Sequence, residues 1–457
     1  MENASKALII AGAILLAILL ISLGIFIFSQ AQDTVTNSGM SQAETSAFNT
    51  KFTKYEGVRK GSVVRSMIQE VIASNADENN ISAKRLVTVK IGNKEVIALL
   101  VTITFNHIIL NITKSIINLT GSSSLLNILY ISIIVICYTC LICYFLQKFP
   151  TYDIIDISDY LGGKTLKCII GIAYVAYFVF WAGILLNLFS SFLQIIYFPM
   201  TKLFYIIILF LISAITACNM KHNAVYRTIF IFFPFLIIST LILFLADIPY
   251  YEVAKIYPIF GNGLFPTFVS GLCNIFAFQV IAYIYFIPPI MKKPEDIKNI
   301  SITAIVLSSI FLLLSVATII FMFSGFVETD ELMPLYSATK YIEFGSFFRK
   351  PDSIYLLIWI LSFMSYLGIT LKFSNRILRK ITHIQNEILL NILIAIGIFI
   401  VSLLPKNRAL STFLSNTAYK YSFFILVIGI SFSILFLANI KKIIRRWLSR
   451  VKTQSTL

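Results

Sequence analysis

The side chains that could do chemistry in this sequence are few, and most of them interrupt apolar runs. The densest group is Thr102, Thr104, Asn106, His107, Asn111, Thr113 and Lys114, set in an otherwise apolar stretch at 95–117. A polar break at mid-membrane depth suits a discontinuous transporter helix, whose freed amides and carbonyls become ligands. The same Asn and Thr side chains could instead bond neighbouring helices, at under about 1 kcal/mol each. Lys114 is expected to snorkel toward the outer surface. A second break lies at 264–290, where Pro266, Ser270-Gly271, Asn274 and Gln279 precede Pro288-Pro289. Ser-Gly is a candidate point of unwinding, because Gly tolerates departures from helix and freed backbone at membrane depth must line a cavity. A Gly admitting a close helix neighbour is the competing explanation.

The remaining candidates point away from catalysis. Tyr174, Tyr177, Asn187, Gln194, Ser362, Tyr366 and Thr370 are polar positions inside apolar segments, where tyrosines most often pack. Asp247, Glu252, Glu328, Asp330 and Glu331 fall in loops and are expected to be solvated. No carboxylate sits mid-membrane, which argues against a proton pump built on an acidic relay. Cys137, Cys140 and Cys143 have a cluster-ligand spacing, but within a spanning helix they read as small apolar residues. Three His, scattered along the chain, suggest no metal site. There is no Gly-rich phosphate loop, no Ser/His/Asp set and no carboxylate pair, so no enzyme, metal or cofactor is expected.

These residues must be positioned by membrane helices. The chain has 457 residues, 58% hydrophobic and 13% charged, with a formal charge of +16 and a mean hydropathy of +0.87. A globular chain carries about a quarter charged residues. The composition therefore excludes a soluble enzyme, a disordered tail and a nucleic-acid module. With about 20 apolar residues per span, ten spans follow Glu95, at about 95–117, 125–146, 168–190, 202–219, 227–246, 264–290, 299–325, 353–376, 387–404 and 418–440. An eleventh candidate, Ala7 to Ser29, precedes a polar stretch. If the residues before Glu95 are cytoplasmic, the inside loops and tail hold 22 Lys and Arg against eight outside. That bias places both ends of the ten-helix part inside.

The expected organisation is an anchor or leader at 1–30, a polar segment of unassigned role at 31–92, a ten-helix domain at 93–445 and a basic cytoplasmic tail at 446–457. Residues 1–30 fit three arrangements: a span with Met1 outside, a cleaved leader, or a fused reading frame. Breaks in the first and sixth helices, five apart, suggest two inverted repeats with a midplane site between them. The fold class is thus an all-α polytopic membrane protein, a ten-helix inverted-repeat transporter-like bundle with one extra N-terminal transmembrane helix.

Over about residues 90–445 the chain resembles the B subunit of bacterial spore germinant receptors, the endospore germination permeases. The stretches that carry the likeness are Gln147-Lys148-Phe149-Pro150, Ile-Ile-Asp-Ile-Ser-Asp-Tyr-Leu-Gly-Gly at 154–163 and Tyr-Pro-Ile-Phe-Gly-Asn-Gly at 257–263. Ile287-Pro288-Pro289 with Lys292-Lys293-Pro294, and Asp352 through Trp359, complete it. The resemblance implies an amino acid–polyamine–organocation superfamily fold in the inner spore membrane, assembly with A and C subunits, and sensing of a small nutrient germinant, commonly an amino acid. A secondary amino-acid transporter of the same fold is the alternative. By analogy the ligand would lie between the first, third, sixth and eighth helices, near Thr104, Asn106, His107, Tyr177, Ser270, Gly271, Asn274 and Tyr366. Two positions depart from the family pattern. The Gly-containing break of the first helix reads Phe105-Asn106-His107, and a Gly-Glu pair of the sixth reads Phe278-Gln279.

Overall fold

A computed structural model describes residues 90–219, 224–323, 333–342, 352–384, 386–405 and 407–454, with positions 37–38, 66, 70 and 85–86. The expected anchor or leader at 1–30 lies outside the described residues, as does most of the polar segment. Within that segment β1 (Asn37–Ser38) pairs antiparallel with β2 (Arg85–Leu86). The other named elements among the described residues are helices.

The first span is α1 (Asn93–His107), a π-helical turn (Ile108–Ile112) and α2 (Thr113–Thr120). It starts where the Gly92 amide donates to Glu95 Oε2 at 2.6 Å, and ends at Gly121, whose φ of 63° an L side chain rarely adopts. After α3 (Ser124–Leu146), Asp153 caps α4 (Ile154–Ile196) by accepting from the amides of Ile155 and Asp156. A straight helix of 43 residues would be about 65 Å long, twice the hydrocarbon thickness. Gly163, with φ 70° and ψ −165°, breaks it into a short leading piece and the third span. The helix therefore begins 14 residues before the expected 168, because the stretch at 154–163 is a capped helix and not a loop.

Next come α5 (Leu203–Asn219) and α6 (Ala224–Asp247, with Pro234 inside). The sixth span is irregular: a π-helical turn Phe265–Val269, a 3-10 stretch Ser270–Ala277, a non-helical Phe278, then α7 (Val280–Ile284). The chain continues through α8 (Ile297–Phe323), α9 (Pro334–Thr339), α10 (Asp352–Thr382) and α11 (Glu387–Ser402). The tenth span combines α12 (Arg408–Phe413), α13 (Tyr419–Ser422) and α14 (Ser431–Gln454) with two π-helical stretches between them. Among the described residues seven helices are long and apolar enough to cross a membrane, and Leu203–Asn219, Phe265–Ala277 and Glu387–Ser402 are shorter apolar helices in the fourth, sixth and ninth places.

The interrupted helices sit at the centre. Val96 and the residues from Ala98 to Leu110 are buried, and every residue from Phe276 to Pro288 is buried. The fifth and ninth spans carry the apolar outside instead, with Ile231, Phe235, Ile238 and Leu245 of α6 and Ile388, Leu393 and Ile396 of α11 exposed. Contacts between loops respect the sides assigned from charge. At one end Ile91 bridges Met291, Asn93 Nδ2 donates to Asp296 at 2.7 Å, and Lys441 Nζ donates to the Tyr160 and Leu161 carbonyls. At the other end Ser122 donates to the Pro258 carbonyl and Asn262 to the Leu119 carbonyl.

Candidate functional site

The π turn that follows His107 adds a residue to the helix and swings the two polar side chains before it inward. Asn106 Nδ2 donates to the Thr102 carbonyl at 2.8 Å and, on the eighth span, to Ser362 Oγ at 2.9 Å and the Ser362 carbonyl at 3.2 Å. One amide thus fastens the first span to α10. The His107 ring stacks on Tyr419 and meets Tyr366 edge-on, with centroids 5.6 Å apart in each case. Tyr419 also stacks on Tyr177 at 6.2 Å and packs against Trp181 at 4.5 Å and Phe276 at 5.6 Å. Helices one, three, six, eight and ten all contribute to this aromatic cage.

Its distinguishing feature is unused polarity. Asn106 Oδ1, His107 Nε2, both Gln279 amide atoms and the hydroxyls of Tyr177, Tyr366 and Tyr419 are buried without a well-formed hydrogen bond, although Tyr177 faces Tyr419 and Tyr366 lies beside Gln279. Each such atom costs about 1–3 kcal/mol, and native interiors hold few of them. Beside His107, Trp181 and Tyr419 lies a cavity of ≈ 10 Å³, room for about one water. A ligand the size of an amino acid requires these rings to part.

The expected site residues therefore separate into groups. Asn106, His107, Tyr177 and Tyr366 come together in the cage. Thr104 is buried beside it, its hydroxyl donating back to the Leu100 carbonyl at 3.4 Å. Gly271 and Asn274 belong to a second polar knot around Asn127 of α3, with Ser270 half-buried next to it. Asn274 Nδ2 donates to Asn127 Oδ1 at 2.8 Å, and Asn127 Nδ2 to the Thr267 carbonyl at 2.7 Å. A Cβ on Gly271 would stand 2.2 Å from Asn127 Nδ2 and 2.9 Å from the Pro266 carbonyl. Gly271 thus serves close approach. The chain leaves helix at Phe278 (φ −93°, ψ 57°), seven residues after the expected Ser-Gly point.

Sequence reasoning missed Tyr419 and Trp181, and named Gln279 as a polar residue of the sixth span and a departure from the family pattern without placing it among the site residues. The string Ser415-Asn416-Thr417 before Tyr419 was the available signal, a polar interruption at the start of the tenth span. Asp247, expected to be solvated, is 2% exposed, with Oδ1 unpartnered at the end of α6. No group of three or more His, Cys, Asp or Glu able to hold a metal occurs among the described residues.

Comparison with known proteins gives this geometry a lineage. The fold is similar to that of a Na+-coupled sialic acid symporter in a substrate-bound, outward-open state, with a TM-score of 0.52 at 11% identity over 75% of this chain and 77% of that one. Spore germination protein B2 of Bacillus subtilis (strain 168) is 26% identical over 340 residues, 72% of this chain and 89% of the relative. Spore germination protein YndE of the same organism is 21% identical over 225 residues; that match spans 49% of this chain and 62% of YndE. Residues 90–410 match the Spore_permease family, described as spore germination protein. An all-α polytopic bundle with interrupted central helices, matched to that family over most of its length, makes this chain an integral multi-pass membrane protein of a spore-forming bacterium and a member of the spore germination permease family.

Proposed function

We propose that this chain is the membrane subunit of a spore germinant receptor, that it binds a small nutrient in the aromatic cage, and that binding triggers germination. The observation that carries the reading is the convergence of buried polar atoms without a well-formed hydrogen bond, from Asn106, His107, Tyr177, Gln279, Tyr366 and Tyr419, on one place in the bundle. A ligand supplying donors and acceptors recovers what those atoms lose by burial. An amino acid fits the chemistry: its ammonium can sit against the faces of Tyr and Trp rings, and its carboxylate can accept from hydroxyls and amides. The cage is nearly closed in this conformation, so the ligand selects a more open state and shifts the population by its preference for that state. In this reading the chain works with A and C subunits in the inner spore membrane.

A working amino-acid transporter is the second reading, and the likeness to a symporter fold favours it. Two measurements separate them. Spores lacking the gene, exposed to a panel of amino acids and nucleosides, should lose the response to one compound; an unchanged response to the whole panel would reject the receptor role. Gradient-dependent accumulation of labelled amino acid in proteoliposomes would instead establish transport.

A further inference from the structure

Between the fifth and eighth spans lies a second cavity, ≈ 240 Å³ in volume, separate from the aromatic cage. Its wall is built by Ile229, Phe235 and Leu236 of α6 and Leu357, Leu361 and Ser365 of α10, with Thr102 and Ser362 at its inner end. We propose that this is a binding site for a single alkyl chain, supplied by a bilayer lipid.

Two observations select that occupant. First, the cavity runs on from the lipid-facing surface of α6: Phe235, at its rim, is 63% exposed, beside the exposed Ile231 and Ile238. Second, its wall offers water little. Ser365 Oγ already donates to the Leu361 carbonyl at 2.9 Å, and Ser362 Oγ accepts from Asn106. An apolar cavity of about 150 Å³ stays dry and takes up benzene or xenon, and this one is larger.

The inner end gives the site a consequence. Thr102 and Ser362 line the cavity and are also the two residues that accept the Asn106 amide. A chain pressing on them holds Asn106 against α10; an empty cavity lets α10 settle inward and moves that anchor. This second step rests on the cage being the germinant site.

The test uses the full chain in proteoliposomes with a phospholipid bearing a diazirine in mid-chain, the adducts mapped by mass spectrometry. Adducts on 229–236 and 357–365 are expected to exceed those on the exposed stripe of α11, and to be lost when dodecane competes or when Leu361→Trp or Leu236→Trp fills the space. Adducts spread evenly over all lipid-facing helices, or unaffected by competitor and filling, would overturn the site. So would cross-linking of those segments to a second polypeptide. Should both filled variants misfold, dodecane competition on the unaltered protein decides alone. Spores carrying Leu361→Trp are then expected to show a shifted germinant dose–response. Lost adducts with an unshifted response would reject the link to Asn106 and leave the alkyl site standing.

Discussion

At the scale of single residues, the cage holds two kinds of polar side chain that substitution should tell apart. Asn106 is both bonded and unbonded: its Nδ2 ties Thr102 to Ser362 while its Oδ1 has no partner. Asn106→Leu removes the tie and takes the donor from the Ser362 hydroxyl. Membrane hydrogen bonds of this kind average about 0.6 kcal/mol and reach nearly 2, so thermal unfolding in detergent should show a loss of that order. Gln279 has neither amide atom in a well-formed hydrogen bond, though the Tyr366 hydroxyl lies beside it. Replacing such a group by an apolar one of similar shape is neutral or stabilising. Gln279→Leu should therefore unfold at the same temperature or higher while the germinant response falls, the usual exchange of stability for function at a site. A destabilised Gln279→Leu would show that the amide is a packing bond and not a ligand group. His107 and Asn106 were legible in the sequence because they interrupt Phe105 to Leu110. Tyr419 was not, because its neighbour Lys420 reads as a loop charge and tyrosine at a span end reads as an interfacial anchor.

At the scale of elements, glycine left two readings open. Ser270-Gly271 fitted either a point of unwinding or a close approach; the backbone turns from π to 3-10 there, and the missing Cβ of Gly271 is where Asn127 sits. Composition reveals that a small residue is needed; it does not reveal whether backbone freedom or space is the need. Gly271→Ala should push Asn127 off its bonds to Asn274 and the Thr267 carbonyl, an overpacking cost of about 1–3 kcal/mol. Asn127→Ala added to it should restore part of the loss, a non-additive pair, as read by unfolding of single and double variants. If the two losses simply add, the close approach is not what excludes a side chain there. The spans themselves were legible, since ten apolar segments are a strong signal and loop contacts fall on the sides that Lys and Arg indicate. The leading piece of α4 was not. Ile154–Gly162 mixes Asp and Ser with Ile, and only the Asp153 cap and the break at Gly163 reveal it as a separate helix.

At the scale of the whole molecule, the bundle must open for the cage to admit a ligand, and the end opposite the outer loops holds the strongest ties against that. Lys380, at the end of α10, bridges Asp153 and Asp156 at the start of α4. From α10 the tie passes on: Asn375 Nδ2 donates to Asn391 Oδ1 at 2.7 Å, and Asn391 Nδ2 to Asn219 Oδ1 at 2.8 Å, joining the eighth, ninth and fourth spans. Asp153 is fully buried. Burial alone would raise its carboxyl, but the charges of Lys380 and Arg376 outweigh that and hold it below the usual carboxylate value. A depressed carboxyl contributes stability that is complete above its unfolded value, about 3.9, and is lost as pH falls through the folded value. The Asp153 contribution should therefore be complete at neutral pH and be lost only as pH falls below about 4, while Asp156 beside it is pushed the other way by burial and by the Asp153 charge. Lys380→Met leaves Asp153 buried without its nearest cation, a change that typically costs about 3 kcal/mol. Its sign with pH also reverses: the carboxyl now resists ionisation, its value rises, and the gap to the unaltered protein should widen as pH increases. Adding Asp153→Asn, which can still cap α4, removes the stranded charge and should close most of that gap at neutral pH. The same double variant lacks the tie between the third and eighth spans, so a cysteine introduced at Ser158 should become more reactive toward a membrane-impermeant thiol reagent. A Lys380→Met variant with unaltered stability at every pH would mean that the ion pair is solvated and holds nothing shut.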